Sequence, residues 1–182
     1  MATNPRVVSV NVGLPKTVRL IGHSVRTGIF KEPATGAIPL TRLGFEGDGQ
    51  ADPRYHGGPE KAVYLYPAEH YAYWTSALSR SDLTPGAFGE NLTTEGLFET
   101  DIRIGDVLSV GSATLRVTQP RTPCAKLGLR MGSMRFVRIF AAAGRPGFYL
   151  GVVQEGYVEA GDAIARIDTD LKRPTVAEVF GG

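Results

Sequence analysis

The chain carries one cysteine in 182 residues, no uninterrupted apolar run of membrane-spanning length and no block of like charge. A lone cysteine excludes an intramolecular disulfide and suits a reducing compartment. Neither a signal-peptide-like apolar stretch at the start nor ~18 consecutive apolar residues anywhere is present, so a cytoplasmic protein without membrane attachment is expected. The net charge of +2 gives no compositional support to nucleic-acid binding. With one cysteine, Cys124, and three histidines, His23, His56 and His70, the spacings of a zinc site are missing. No phosphate-binding P-loop and no strand-linked Gly-x-Gly-x-x-Gly occurs, nor does an iron–sulfur cysteine set.

What the chain does have is punctuation. Its 23 glycines and 12 prolines separate short apolar runs rich in β-branched and aromatic residues, which favours many short strands over long helices. Strands are expected at 6–12, 38–43, 62–66, 107–110, 113–118, 148–153 and 163–167. Two helices are expected: one at 68–78 with Pro67 in its first turn and Tyr71, Trp74 and Leu78 on one face, and one at 134–143 capped by Ser133. The second carries a stripe of Phe136, Ile139, Phe140 and Ala143 and ends at Gly144. Both stripes read as core packing. Gly105-Asp106 and Gly161-Asp162 read as tight turns before strands.

Cys124 sits in QPRTPCAKL (119–127), with Arg121 three residues before it and Lys126 two after. Nearby cations favour the thiolate, the form that attacks electrophiles and binds metals, and Pro123 makes a central core strand improbable there. Lys126 reads as a second anchor or, slightly better, as the solvated end of a strand. Residues 47–61 form a polar glycine-rich loop in which Arg54, His56 and Lys61 can converge on an anion, with Gly57 and Gly58 permitting close backbone approach. Lys31 follows TGIF (27–30), and Asn91 follows GAFGE (86–90), where an amide can read a heterocycle. A nucleophilic pair of Cys124 with His56 or His23 also stays open.

In their order, TGIFKEP (27–33), GDGQAD (47–52), HGG (56–58), KAV (61–63), FGENL (88–92), QPRTPC (119–124) and GFYL (147–150) resemble the MOSC family, the C-terminal domain of molybdenum cofactor sulfurases, in its YiiM-like branch. The likeness runs from Val7 to about Ile167. It implies a β-rich mixed α/β fold, a small closed or partly open β-barrel of the pyruvate-kinase-barrel-like type with a few short helices, with residues 1–170 as the MOSC domain and 171–182 as a short C-terminal tail. Longer YiiM-like chains continue into a helical C-terminal domain, which leaves any partner docking by that domain open here.

The resemblance also implies a molybdenum cofactor, a pterin dithiolene with a terminal phosphate, whose metal takes Cys124 as its protein ligand. A thiolate is a suitably soft ligand. Lys31, Asn91 and Arg121 would hold the cofactor, joined by Arg54, His56 and Lys61, and Arg121 can offer a planar fork to phosphate or pterin oxygens. The implied activity is the two-electron reduction of N-hydroxylated compounds, such as hydroxylaminopurines or amidoximes, to amines. Cys124, His56 and Asp52 would be the catalytic residues, with His56 or Asp52 delivering protons. An external flavin or iron–sulfur protein would donate electrons; no nucleic-acid partner is expected, and a homodimer stays open. Two rival readings keep Cys124: a sulfur carrier that holds a persulfide, and a non-catalytic protein that binds or carries the cofactor.

Overall fold

The computed structural model describes residues 4–20, 22–51 and 57–182. Its framework is an eight-stranded sheet in the order β13-β9-β10-β11-β7-β8-β1-β4. These are Ile164–Asp168 (β13), Val107–Val110 (β9), Ala113–Pro120 (β10), Phe148–Gln154 (β11), Val63–Pro67 (β7), Leu92–Glu95 (β8), Arg6–Val12 (β1) and Glu32–Pro33 (β4). Every neighbouring pair is antiparallel except β7 with β8, which run parallel. The sheet curls until β1 approaches the start of β13: Arg6 bridges Ala163, Val7 N–H donates to the Asp162 carbonyl at 2.8 Å and Ile164 N–H donates to that of Pro5 at 2.8 Å. The result is a partly open barrel, strand-rich with a few short helices. Strands Lys16–Leu20 (β2) and His23–Thr27 (β3) form a separate hairpin, and Ile38–Thr41 (β5), Gly44–Phe45 (β6) and Gly156–Val158 (β12) a three-stranded sheet.

Alternation along the strands sorts side chains between two cores. In β7, Val63 and Leu65 join Val7, Val10, Leu108, Leu115, Val117 and Leu150 in the main core, while Tyr64 and Tyr66 point the other way. There they meet helices Glu69–Leu78 (α1), Ala125–Met131 (α2) and Phe136–Ala142 (α3) through Trp74, Leu127, Met131, Phe136 and Phe140. Trp74 stacks on Phe140 at 5.4 Å between centroids and 8° between planes, and its indole N–H donates to the Tyr66 hydroxyl at 2.6 Å. This aromatic layer is the floor on which the site is built.

The strands expected from the sequence form, with ends displaced by one to two residues. The hairpin of β2 and β3, strand β8 and helix α2 were not expected. The hairpin and β8 are polar and lack a clear two-residue alternation; α2 is too short and glycine-interrupted to show a helical period. Pro67 ends β7 and the following helix starts at Glu69. Ser133 caps nothing with its side chain, since α3 begins at Phe136. The two Gly-Asp turns form with positive φ at Gly105 and Gly161. Asp106 is fully buried and accepts from Arg103 N–H at 2.9 Å and the Thr169 hydroxyl at 2.6 Å. Beyond residue 171 a capping box of Thr175 and Glu178 starts helix Val176–Gly181 (α4), and Val176 enters the main core. No helix among the described residues is long and apolar enough to cross a membrane.

Candidate functional site

A cleft opens beside the barrel where five loops and strand ends converge. Its walls are residues 27–31 after β3, residues 48–51 after β6, Phe88 to Asn91 before β8, Arg121 to Lys126 after β10, and Tyr64 and Tyr149 from β7 and β11. Two glycines let the walls close up. A Cβ on Gly28 would stand 2.3 Å from the Gly49 carbonyl oxygen, and one on Gly89, whose φ is 83°, would stand 2.6 Å from Ile29 Cγ1.

Cys124 lines this cleft, half-buried, in extended backbone directly before α2. Lys126, read as a strand end from the sequence, belongs instead to the first turn of α2 and lines the same cleft. Strand pairing ends at Pro120, and the chain turns into a helix at Ala125 rather than extending the sheet.

Arg121 is the most constrained group of the site. It is 4% exposed, its Nη1 has no hydrogen-bond partner, and its guanidinium lies 5.2 Å from the Tyr64 ring and 5.4 Å from the Phe140 ring. No carboxylate pairs with it among the described residues. A guanidinium keeps its charge, and a buried cation without a counter-ion is costly. Tyr149 lies next to it. Burial pushes the Tyr149 phenol up, Arg121 opposes that, and the nearby Cys124 adds to it.

Lys31 is buried, and its ammonium is paired with Asp48. Burial, the larger effect, holds Lys31 below the ordinary lysine range despite the opposing pull of Asp48 and Glu90. Asp48 also accepts from Gly13 N–H at 3.0 Å and from Asn91 Nδ2 at 2.8 Å. The Asn91 amide oxygen in turn accepts from Tyr64 N–H at 3.1 Å. Lys31 and Asn91 therefore line the cleft with polar atoms already engaged. Gln50 ties the loop down, its Oε1 accepting from Gly58 N–H at 2.9 Å and its Nε2 donating to the Lys61 carbonyl at 3.3 Å. The Lys61 ammonium lies 5.7 Å from the Tyr149 ring centre.

The structure thus brings Lys31, Lys61, Asn91, Arg121 and Cys124 to one cleft. Asp52, Arg54 and His56 lie outside the described residues. His23 is exposed on the hairpin and lines no part of the cleft. His70 is buried elsewhere, donating to Glu99 at 2.9 Å and facing Arg145 at 3.1 Å. Sequence reasoning missed Asp48, Gln50 and Tyr149 as site residues; only their inclusion in the GDGQAD and GFYL segments pointed near them.

Among the described residues, no cluster of three or more His, Cys, Asp or Glu side chains is placed to hold a metal ion. A metal at Cys124 would take its other ligands from a prosthetic group. The orphaned Nη1 of Arg121 and the cations of Lys61 and Lys126 around the thiol fit such a group if it is anionic and rich in acceptors.

A partly open barrel with a cation-lined cleft around one thiol defines the class, a small strand-rich barrel domain. The model of the MOSC domain matches residues 52–165, and the chain belongs to the MOSC family, in its YiiM-like branch, a family associated with molybdenum cofactor binding. It is 49% identical over 155 residues to YflK of Bacillus subtilis, covering 85% of this chain and 70% of that one. The crystal structure of YiiM from Geobacillus stearothermophilus superposes with a TM-score of 0.79 at 32% identity, covering 97% of this chain and 82% of the other. A Gibberella moniliformis protein named reductase is 32% identical over 162 residues, which make up 87% of this chain and 29% of that one.

Proposed function

We propose that this protein is a molybdenum-cofactor-dependent reductase of N-hydroxylated compounds, hydroxylaminopurines and amidoximes among them. The reaction balances as R–NHOH with two electrons and two protons giving R–NH2 and water: the N–O bond breaks and its oxygen leaves as water. One observation carries the reading. Arg121 is a buried cation with an unpartnered N–H, set in the same cleft as the only cysteine. A protein keeps such a charge where a ligand supplies the missing acceptors. Similarity to a protein named reductase supports the redox class.

When bound, the cofactor supplies two-electron chemistry at molybdenum. The chain's own residues do the rest. Cys124 offers the soft sulfur. Arg121 presents its fork, with Lys61 and Lys126 adding positive charge nearby. Lys31 and Asn91 act through Asp48, holding the cleft wall at fixed spacing while their own polar atoms stay engaged. Tyr64, Phe88 and Tyr149 exclude water from the inner end, which strengthens every charge interaction there. Proton delivery is assigned to His56 or Asp52, which lie outside the described residues.

The test is purification from a host able to make the cofactor, with molybdenum and pterin assays and dithionite-reduced viologen turnover of a hydroxylaminopurine. Metal, pterin and turnover are all expected. Cys124→Ser should abolish turnover and weaken metal retention. Protein that carries sulfane sulfur at Cys124 and no metal would overturn the reading in favour of a sulfur carrier, and bound cofactor without turnover would leave a carrier of the cofactor.

A further inference from the structure

The cleft holds more positive charge than its own acids answer. Lys31, Lys61, Arg121 and Lys126 line it, and among the described residues Asp48 is the one carboxylate in its wall. That carboxylate is already engaged with Lys31, Gly13 and Asn91. Among the described residues, Arg121 and Lys126 pair with no carboxylate. Arg121 is 4% exposed and keeps an Nη1 with no hydrogen-bond partner. A cleft lined by one sign of charge, with low-dielectric walls such as Tyr64, Phe88 and Tyr149, concentrates small ions of the other sign.

Cys124 stands in this field, half-buried and lining the opening. It is the only cysteine of the chain, so a group bound to its sulfur has no second protein thiol in the molecule to move to. A disulfide formed there lasts until a thiol from outside reduces it.

We propose that in the cofactor-free chain Cys124 is a site of reversible S-thiolation by an anionic low-molecular-weight thiol of the glutathione type, and that the adduct caps the cleft against the cofactor. The step is thiol–disulfide exchange with the oxidised form of that thiol. The Cys124 sulfur attacks one sulfur of the disulfide, whose S–S bond breaks as the new S–S bond forms. Cys124 is oxidised, and the departing half is reduced and takes up the proton that Cys124 gives up. No other oxidant enters. Carboxylates set the glutathione type apart from other small disulfides: they outnumber its ammonium groups and offer the acceptors that Arg121 Nη1 lacks. Thiolation concerns the chain before any cofactor is loaded and stands apart from the redox reading; only the block on loading rests on it. The mixed disulfide fills the metal-ligand position and its cleft together, so loading waits for reduction.

The experiment uses the full chain expressed without the cofactor. Adduct formation is followed by intact-mass spectrometry with glutathione disulfide, the neutral 2-hydroxyethyl disulfide and the cationic cystamine, each rate divided by that disulfide's rate with a neutral model thiol. One adduct per chain is expected, absent from Cys124→Ser and removed by dithiothreitol. Glutathione disulfide should exceed cystamine by about tenfold or more at low salt, and the preference should shrink as salt is raised to about 200 mM. Arg121→Met should cut the preference severalfold and Lys126→Gln by less, while Lys172→Gln, exposed and outside the cleft, should leave it unchanged. Lys126→Gln and the salt series carry the test if Arg121→Met does not fold. Equal normalised rates for the three disulfides, or a preference untouched by salt and by Lys126→Gln, would overturn the proposal. Thiolated protein should take up no molybdenum or pterin from released cofactor until dithiothreitol is added, and uptake equal to that of untreated protein would overturn the capping role. Adduct formation on cofactor-loaded protein at the cofactor-free rate would overturn Cys124 as the metal ligand and leave the thiolation site standing.

Discussion

Lys31 and Asp48 form an ion pair in which each side chain is less than a tenth exposed, 8% and 7%. The same carboxylate takes hydrogen bonds from Gly13 and Asn91, so one acid ties three segments of the cleft wall to each other and to Gly13 behind them. Removing one partner of such a pair strands the other charge in a dry environment. Asp48→Ala should destabilise the protein by about 3–5 kcal/mol, and Lys31→Met combined with Asp48→Leu by less, both read from denaturant unfolding. Because burial lowers Lys31 in the folded state, the unfolded chain binds more protons between that lowered value and 10.5. Stability should therefore rise with pH across this window in the wild type, and Lys31→Met should lose that rise.

Arg121→Met should separate stability from binding. It removes a buried cation that pairs with no carboxylate among the described residues, so cofactor-free protein should gain about 1 kcal/mol, a rise in Tm of about 2–4 °C for a chain of this size. The same substitution should reduce the pterin and molybdenum retained on purification. A lower Tm together with full cofactor retention would contradict the role given to this residue.

Two buried carboxylates have opposite pH signatures. Glu90 is fully buried and accepts from Gly86 N–H, Phe88 N–H and the hydroxyls of Tyr71 and Thr93. Burial outweighs these donors and raises it, so its contribution is complete below the ordinary value of 4.5 and is lost as pH rises through the folded value. Glu99 is lowered: burial acts upward but is overcome by His70 and the Gly147 N–H, so its contribution is present above 4.5 and lost as pH falls. Glu90→Gln should flatten the alkaline side of the stability–pH curve and Glu99→Gln the acid side, each costing about 1–3 kcal/mol from unpaired buried donors.

The aromatic floor carries the site mechanically. Phe140 packs on Trp74, Tyr66, Phe88 and Phe136 and faces Arg121. Phe140→Ala should cost about 3–5 kcal/mol. The near-UV circular dichroism of Trp74 should weaken in the folded variant.

Gly28→Ala tests the closeness of the two cleft loops. Its new methyl would meet the Gly49 carbonyl at 2.3 Å, and backbone rather than a flexible side chain must move. A loss of about 1–3 kcal/mol is expected, with weaker cofactor retention than in wild type, both read on the same preparation.

Much of the barrel was legible because its strands advertise themselves. Arg6–Val12 and Val107–Val110 form where their β-branched residues say they should. Leu92–Glu95 did not announce itself, since Thr93 and Thr94 are polar yet buried. Thr93 is tolerated there by context, accepting from the Asn11 amide and donating to Glu90, whereas the buried Thr94 hydroxyl has no hydrogen-bond partner among the described residues. The cleft was legible as a set of suspicious residues, Lys31, Lys61, Asn91, Arg121 and Cys124, but not as a division of labour among them.

The residues by themselves determined most strands of the barrel, the two aromatic-striped helices, the lone thiol and the cations on either side of it, because propensity, turn chemistry and composition act over short stretches of chain. Only the tertiary structure decided that Lys31 is neutralised by Asp48 while Arg121, among the described residues, meets no carboxylate. Burial and pairing depend on which distant segments meet, and that information exists only once the barrel has formed.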